Sequence, residues 1–200
     1  MVVIGITGPS GAGKGAVSRI LNEKYGFPVL DADEIYHSIV NCPSPCLQEI
    51  SEEFGRGVIN PNGSLNRTAL SELVFGDENK DKLKILNQIT HKHVIDEMNK
   101  CMAVYQATES ACVIDAPLLL EAGISKNCDF TIAVIAQKDI RVSRISARDN
   151  ISEEAALKRI NSQKDTAFYI ENTDYVIQND GDLSLLVNAV YEIMRERGLA

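Results

Sequence analysis

A glycine-rich segment near the start of the chain has the spacing of a phosphate-binding loop. Gly8 and Gly13 enclose four residues, and Lys14 follows directly, in the order G-x-x-x-x-G-K. An apolar segment precedes the motif and a helical pattern from Ala16 to Lys24 follows it, which is the context that such a loop requires. The glycines let backbone N–H groups converge on phosphate oxygens at a helix N-terminus, while Lys14 supplies a point charge to the β- and γ-phosphates. The motif therefore predicts a nucleotide site.

The residue after Lys14 departs from the usual motif. Ser or Thr normally stands there and its hydroxyl binds Mg²⁺, but this chain has Gly15 followed by Ala16. Mg²⁺ commonly keeps several waters and is bound through one or two carboxylates together with substrate phosphates. We therefore expect phosphates, water and carboxylates to hold the ion.

Two carboxylates follow the second apolar segment, in the order Leu30-Asp31-Ala32-Asp33. Alternation along an extended segment predicts that Asp31 and Asp33 lie on one side and face the phosphate loop. A carboxylate in that place can accept the proton of an attacking hydroxyl. The alternative is a cap for a helix from Glu34 to Val40. The phosphate loop favours the catalytic interpretation for Asp33.

A third carboxylate, Asp115, ends the apolar segment Cys112-Val-Ile-Asp. An apolar strand that ends in Asp is typical of the metal-organising carboxylate of phosphate-loop proteins, so Asp115 and Asp31 are candidates for an indirect role in holding Mg²⁺. The residues after Asp115 and after Ala136 lack the D-x-x-G and N-K-x-D patterns of GTPases. A molecular switch of that type is therefore not expected.

Three arginines recur at helical spacing in the second half of the chain. Arg141, Arg144 and Arg148 share one helix face, and no acidic residue stands four positions from Arg144. Arginine forks suit phosphates, so we interpret this face as part of a lid over ATP, with a solvated face as the alternative.

His91 and His93 point apart on a helix, so a shared metal is not expected.

The elements that must position these residues form an α/β pattern. Short β-branched segments alternate with longer helical ones, which predicts a parallel sheet flanked by helices. The expected strands are Val2 to Ile6, Pro28 to Leu30, Ala111 to Ile114, Phe130 to Ile135 and Tyr175 to Ile177. The predicted organisation is one domain with a core (1–40, 108–138 and 172–200), a helical lobe (about 41–107) and a helical lid (about 139–171). Both insertions would stand at the carboxyl ends of the strands, where α/β sheets bind ligands.

The composition bounds the functional classes. A chain of 200 residues that is 44% hydrophobic and 24% charged can bury a core. Twenty basic and 28 acidic residues give a net charge of −8, which argues against non-specific binding to nucleic acid or anionic membranes. The chain has no long apolar stretch and no basic segment near its start, so neither a membrane span nor a signal peptide is expected. Five scattered cysteines favour a reducing compartment, so a cytoplasmic protein is expected.

Taken together, the motifs resemble those of the dephospho-coenzyme A kinases over nearly the full chain. Besides the phosphate loop, the matching segments are Val29-Leu-Asp-Ala-Asp33, Gly63-Ser-Leu-Asn-Arg67, Val74-Phe75, Ile89-Thr-His91, Asp115-Ala-Pro-Leu-Leu-Leu-Glu121, Arg141 to Asp149, Arg159-Ile160 with Gln163, and Asp174 to Gly181. Several of these have no role in generic phosphate-loop folds, so their order is specific. The resemblance implies a phosphate-loop kinase fold, and transfer of the γ-phosphate of ATP to the ribose 3′-hydroxyl of dephospho-coenzyme A with the help of Mg²⁺.

The resemblance also implies roles for individual residues. Asp33 would be the general base, with Lys14 and Arg141 neutralising charge. ATP would be held by Gly8, Gly11, Ala12, Gly13, Lys14, Gly15 and Ala16 from the loop and by Arg144 and Arg148 from the lid. The acceptor would be bound by Arg67 and His91 in the lobe that receives coenzyme A, by Leu118 and Glu121, and by Asp33.

Two features depart from the family pattern. His37 stands where an arginine often follows the Asp-Ala-Asp motif, and the loop lacks its hydroxyl at Gly15. One alternative is a cytidylate kinase or another nucleoside monophosphate kinase, because their loops share the Gly-Ala-Gly-Lys-Gly order. Another is a degenerate kinase that binds ATP as a regulator, which the absent hydroxyl motivates.

Overall fold

A five-stranded sheet organises the chain. The computed structural model describes the backbone throughout and the side chains of residues 1–76 and 78–200. The strands are β1 (Val2–Thr7), β2 (Val29–Asp31), β3 (Ala111–Asp115), β4 (Phe130–Ile135) and β5 (Tyr175–Gln178), in the spatial order β2-β3-β1-β4-β5. The pairs β1–β3, β1–β4 and β4–β5 are parallel. The five predicted strands are confirmed, with ends that differ by at most one residue.

Burial explains the composition of the strands. Every residue of β3 and β4 is buried, as expected where helices cover both faces of a parallel sheet. In β1, Ile4 and Ile6 are fully buried, and Ile4 lies opposite Phe130 of β4. These strands therefore supply buried apolar side chains to the hydrophobic core that contains the sheet.

Nine helices connect or cover the strands along the described backbone. They are α1 (Lys14–Tyr25), α2 (Ala32–Val40), α3 (Pro45–Phe54), α4 (Arg67–Val74), α5 (Lys80–Tyr105), α6 (Lys138–Asp149), α7 (Glu153–Asn161), α8 (Thr166–Glu171) and α9 (Leu183–Glu196). Six of them start behind a side-chain oxygen that accepts a backbone N–H bond, which satisfies an otherwise unpaired donor. These capping residues are Asp31, Ser44, Asn66, Ser152, Asp165 and Asp182.

The helix α1 starts differently. Its N-cap is Gly13, and among the described residues no side chain caps this end. Its first turn, which begins at Lys14, also contains no acidic residue. The partial positive charge of the helix N-terminus is therefore left for an external anion.

The chain divides into two units. Unit 1 comprises Met1–Leu30 and Tyr105–Ala200, and unit 2 comprises Asp31–Val104. In unit 1, side chains of α1 and α9 such as Leu21 and Val190 pack against the sheet. The segment predicted as a lid, 139–171, belongs to this unit.

Unit 2 has a hydrophobic core of its own. Side chains of α2, α3, α4 and α5 meet there, including the fully buried Val40 and Ile50. The helical unit starts at Asp31, ten residues before the boundary predicted at 41, because α2 packs with these helices through Val40.

Among the described residues, no helix is both long enough and apolar enough to cross a membrane. The 26-residue helix α5 has the length, but charged and polar residues recur along it.

Candidate active site

The phosphate loop connects β1 to α1 within unit 1. Gly8 has a φ of 138°, and a Cβ there would lie 2.1 Å from the carbonyl oxygen of Val134. Gly13 has a φ of 98°, and its Cβ would lie 2.2 Å from Nδ2 of Asn179. Both the left-handed backbone and the close approach require glycine at these two positions.

The side chain of Lys14 folds back over the loop. Its Nζ donates a hydrogen bond of 2.8 Å to the carbonyl oxygen of Gly8. Inside the loop, the N–H of Ala12 bonds to Pro9 and the N–H of Ala16 bonds to Gly13. The lysine charge is thus held beside the uncapped start of α1, where both favour phosphate oxygens.

Arg141 of α6 contacts the loop directly. The residue is buried, with only 5% of its surface exposed, and its Nε donates to the carbonyl oxygen of Ser10 at 2.9 Å. Its Nη2 donates to Oε1 of Gln163 at 3.3 Å. Burial lowers the pKa of Arg141 below its ordinary value. Because an arginine starts from so high a pKa, this side chain still brings a positive charge to the loop.

Arg144 and Asn179 hold the loop from the same unit. Nη1 of Arg144 donates to the carbonyl oxygens of Gly11 at 3.3 Å, Ala12 at 3.4 Å and Asn179 at 3.0 Å. The buried side chain of Asn179 donates to the carbonyl oxygen of Ala12 at 2.7 Å. These bonds leave the loop carbonyls turned towards the protein, which is the orientation that frees loop N–H groups for an anion.

Arg148 lies in a different environment from the other two arginines. Its Nε donates to Oδ1 of Asp149 at 2.7 Å, and Arg159 donates to the other oxygen of the same carboxylate. Hydrogen bonds from Arg148 and Arg159 lower the pKa of Asp149 to about 2. The expectation of an unneutralised arginine face is therefore wrong at Arg148, because the adjacent Asp149 pairs with it.

Asp115 is fixed by a hydroxyl to which no sequence motif points. Oγ of Ser18 donates to Oδ2 of Asp115 at 2.6 Å, and both residues are more than nine-tenths buried. Ser18 lies one helical turn after Lys14, four residues further along α1. The chain lacks a hydroxyl at Gly15 and Ala16, but a serine on the next turn of the same helix contacts the predicted metal-organising carboxylate.

Asp31 and Asp33 lie at the start of unit 2. Oδ1 of Asp31 accepts hydrogen bonds from the backbone N–H of Asp33 at 2.8 Å and of Glu34 at 3.1 Å. The prediction of an extended segment with both carboxylates on one side is wrong, because α2 already begins at Ala32. Asp33 is an exposed residue of the first helical turn, where the helix dipole favours a negative charge.

Arg67 pairs with the residue that departs from the family pattern. Its Nη2 lies 2.6 Å from Nδ1 of His37, and its Cζ lies 5.7 Å from the centre of the Tyr36 ring. An arginine can only donate, so this contact requires His37 to accept at Nδ1. Within unit 2, His37 and Arg67 therefore form one hydrogen-bonded pair that carries the positive charge of the arginine.

The two histidines of α5 have different surroundings. Burial lowers the pKa of the half-buried His91, which favours its neutral form. Nε2 of His93 lies 2.7 Å from Oε2 of Glu49, and Lys92 bonds to the same carboxylate. Among the described residues, no group of three or more histidine, cysteine or acidic side chains has the arrangement of a metal site.

Leu118 and Glu121 belong to the turns that follow β3. Both are exposed, with 46% of Leu118 accessible, and the N–H of Ala122 donates to the carbonyl oxygen of Leu118 at 2.8 Å. Unit 1 therefore contains the phosphate loop, the lid arginines, Asp115 and this turn. Unit 2 contains the other predicted residues, which are Asp31, Asp33, Arg67 and His91.

Comparison with known proteins decides the family. The sequence profile described as dephospho-CoA kinase matches residues 2–184. The chain belongs to the dephospho-CoA kinase family. It is 39% identical to the dephospho-CoA kinase of Fusobacterium nucleatum over 190 residues, which cover 95% of each chain. It is 34% identical to the dephospho-CoA kinase of Carboxydothermus hydrogenoformans, with 97% of this chain and 93% of the relative covered. Members of this family are kinases that transfer phosphate to an alcohol group, with ATP as donor.

Solved structures agree with the fold. A Thermus thermophilus protein superposes with a TM-score of 0.80 at 28% identity and covers 98% of this chain and 97% of its own. The dephospho-CoA kinase of Campylobacter jejuni has a TM-score of 0.70 at 26% identity, with 98% of this chain and 96% of that chain covered. The shikimate kinase of Acinetobacter baumannii has a TM-score of 0.57 at 15% identity and shares the fold alone. The predicted phosphate-loop kinase fold is thereby confirmed.

Proposed function

We propose that the chain transfers the γ-phosphoryl group of ATP to the ribose 3′-hydroxyl of dephospho-coenzyme A, with ADP and coenzyme A as products. The observation that carries this proposal is the phosphate loop, with its glycines and Lys14 present, in a chain matched by the family profile over residues 2–184. The uncapped start of α1, the Lys14 amine and two lid arginines all offer positive charge to the same loop. That is the donor-binding half of a phosphoryl-transfer site.

Phosphoryl transfer requires positioning and charge stabilisation more than covalent chemistry by the protein. In this proposal, the loop from Gly8 to Ala16 binds the phosphates of ATP, and Lys14 neutralises charge that develops during transfer. Arg141 and Arg144 support the loop through its carbonyl oxygens. Arg148 joins them only if a bound nucleotide competes with Asp149 for its guanidinium.

Asp33 is the proposed acceptor of the hydroxyl proton. The residue is exposed, so its carboxylate is accessible to a substrate. Its backbone N–H donates to Oδ1 of Asp31. A carboxylate at this position can accept the proton of the attacking hydroxyl as a general base. Arg67 and His91 of unit 2 and Leu118 and Glu121 of unit 1 are the proposed acceptor contacts.

Mg²⁺ is the proposed metal, and the residues present fit it. This ion needs few protein ligands because substrate phosphates and waters complete its shell, and one buried carboxylate, Asp115, is already oriented by Ser18. Asp31 and Asp115 are proposed to act on the ion indirectly. When bound, the ion would neutralise charge on the phosphates. Ser18 would orient Asp115 in place of the hydroxyl that is missing at Gly15.

The reaction is proposed to take place in the cytoplasm. All five cysteines are free thiols, and three of them have a pKa raised by burial: Cys46 and Cys112 to about 11 and Cys128 to about 12. Thiols kept protonated are slow to oxidise, which suits a reducing compartment. Proposed partners are the two small-molecule substrates, with no nucleic acid.

The test is a comparison of acceptors. Purified protein is incubated with ATP, Mg²⁺ and either dephospho-coenzyme A, CMP or no acceptor, and ADP formation is followed with the mass of the acceptor. We expect ADP only with dephospho-coenzyme A, whose mass increases by one phosphoryl group, and no turnover in a Lys14→Ala variant. Turnover of CMP would instead identify a nucleoside monophosphate kinase. Tight ATP binding without turnover of either acceptor would identify a regulator.

A further inference from the structure

Every polar group of Ser10 is bound by two side chains of the predicted lid segment. The N–H of Ser10 donates to Oε1 of Gln163 at 3.0 Å, and its hydroxyl accepts from Nε2 of Gln163 at 3.1 Å. Its carbonyl oxygen accepts from Nε of Arg141 at 2.9 Å. Arg141 also donates to Oε1 of Gln163 at 3.3 Å, which closes a ring of hydrogen bonds among the three residues. Ser10 is the third residue of the phosphate loop.

The backbone of Gln163 is held by contacts with the end of α7. It follows α7 by two residues, and its N–H bonds back to the carbonyl oxygen of Ile160 at 3.2 Å. Ile160 is buried with Ile145 of α6 in a small hydrophobic cluster that joins the two helices. The glutamine is therefore held by packing before it meets Ser10, which is what a side chain that positions a loop requires.

The loop has no space to relax towards α6. A Cβ at Gly11 would lie 2.8 Å from the carbonyl oxygen of Arg141, so the loop backbone already touches the helix backbone. On this side the loop is fixed by contact, and at Ser10 it is fixed by the Gln163 amide. An uncharged amide offers a donor and an acceptor together without adding charge beside bound phosphates.

We propose that Gln163 is a positioning residue that holds the phosphate loop in its nucleotide-binding conformation by acting through Ser10. It fixes the backbone whose following N–H groups bind the anion, and it does not itself contact the substrate. Its kinetic readout rests on the proposed phosphoryl transfer, but its effect on nucleotide affinity does not.

The experiment uses Gln163→Leu, which keeps the side-chain size but removes both amide groups. The matched control is Gln106→Leu, an exposed glutamine of the same unit. Affinity for the non-hydrolysable analogue AMPPNP is measured by titration calorimetry with Mg²⁺. Two or more lost hydrogen bonds at the loop are expected to weaken the affinity about tenfold in Gln163→Leu, while the control stays within about twofold. Hydrogen exchange of the loop amides is expected to accelerate in Gln163→Leu alone.

A double-mutant cycle tests the route through Ser10. Ser10→Ala removes the hydroxyl that accepts from Gln163. It should weaken AMPPNP binding in the parent chain and have no further effect in the Gln163→Leu background, since coupled residues are not additive. In steady-state kinetics, KM for ATP should rise while KM for dephospho-coenzyme A stays unchanged.

Three results would overturn the proposal: parent-like affinity in Gln163→Leu, fully additive effects of the two substitutions, or a general loss of folding as the sole cause of weak binding. Thermal unfolding of each variant detects the last case. If the parent chain binds AMPPNP but does not phosphorylate dephospho-coenzyme A, the proposed function fails. The affinity and exchange results still decide the role of Gln163.

Discussion

Removal of the Ser18 hydroxyl should destabilise the chain measurably. Ser18→Ala removes from the Asp115 carboxylate one hydrogen-bond donor, which contacts it at 2.6 Å. Hydrogen bonds to charged groups contribute roughly 1.5–3 kcal/mol, and a buried carboxylate that loses one cannot recruit bulk water in its place. With about 2 kcal/mol lost and roughly 2–4 °C per kcal/mol for a chain of this size, Tm should fall by about 4–8 °C.

The assay is thermal unfolding at neutral pH, followed by circular dichroism and calorimetry. The control is Ser71→Ala, because the Ser71 hydroxyl donates only to the carbonyl oxygen of Thr68 within its own helix. Loss of such a local bond usually changes stability by less than about 0.5 kcal/mol, so Tm of the control should move by less than about 2 °C. In an Asp115→Asn background the acceptor is neutral, so Ser18→Ala should lower the free energy of unfolding by only about 1 kcal/mol.

The same variant also bears on the metal. If Ser18 orients Asp115 for Mg²⁺, the Ser18→Ala variant should bind Mn²⁺ together with AMPPNP more weakly than the Ser71→Ala control does. Electron paramagnetic resonance of Mn²⁺ measures this affinity. A Tm equal to that of the parent within about 1 °C would refute the energetic argument, because a stabilising charge-assisted bond cannot be removed without effect. Unchanged Mn²⁺ binding would refute the orienting role.

Four further outcomes are expected. Asp33→Asn should lower kcat by about 100-fold or more with little change in KM for ATP, and near-normal turnover in steady-state kinetics would remove Asp33 as the base. Gly13→Ala should weaken AMPPNP binding by about tenfold or more, because a side chain at a φ of 98° is strained and the loop must shift. Gly15→Ala, whose Cβ meets no atom within 4 Å, should bind like the parent in the same calorimetric titration. The pKa of Asp149 is lowered to about 2, below its unfolded value, so its arginine pairs stabilise fully above about pH 4 and are lost as pH falls towards 2. The Tm difference between the parent and Asp149→Asn should therefore be constant from pH 5 to 8 and shrink below pH 4, and a constant difference down to pH 2 would contradict this.

The sheet and the phosphate loop were predictable because their determinants are local. A buried parallel strand is a short continuous apolar segment, and such segments mark all five strands. In the loop, glycine identity itself encodes the positive φ angles at Gly8 and Gly13. Strand ends were less exact, since terminal residues such as Thr7 and Gln178 are polar but still belong to the strands.

The error at Asp31 came from two competing local rules. Alternation applies only while the chain is extended, whereas Asp31 is followed by Asp33 and Glu34 in a first helical turn. An aspartate before acidic residues is a capping signal, and the hydrogen bonds from two N–H groups to Oδ1 show that the cap prevails. At Asp31 the capping signal therefore outweighs the alternation rule.

The remaining contacts depend on tertiary structure. Asn179 meets Ala12 across 167 positions of the chain, and Gln163 meets Ser10 across 153. Neither periodicity nor motif spacing specifies which distant side chain will form a hydrogen bond with a given residue of the loop. Ser18 is an intermediate case, because its position one turn after Lys14 was visible but its acceptor, Asp115, was 97 residues away.

The most direct test is the position of the transferred phosphoryl group. Product formed from ATP and dephospho-coenzyme A is purified and examined by phosphorus–proton correlated NMR. We predict one new phosphomonoester resonance that correlates with the ribose H3′ proton and appears in equal amount with ADP. A phosphomonoester at another hydroxyl, or ADP that appears with inorganic phosphate alone, would contradict the proposed reaction.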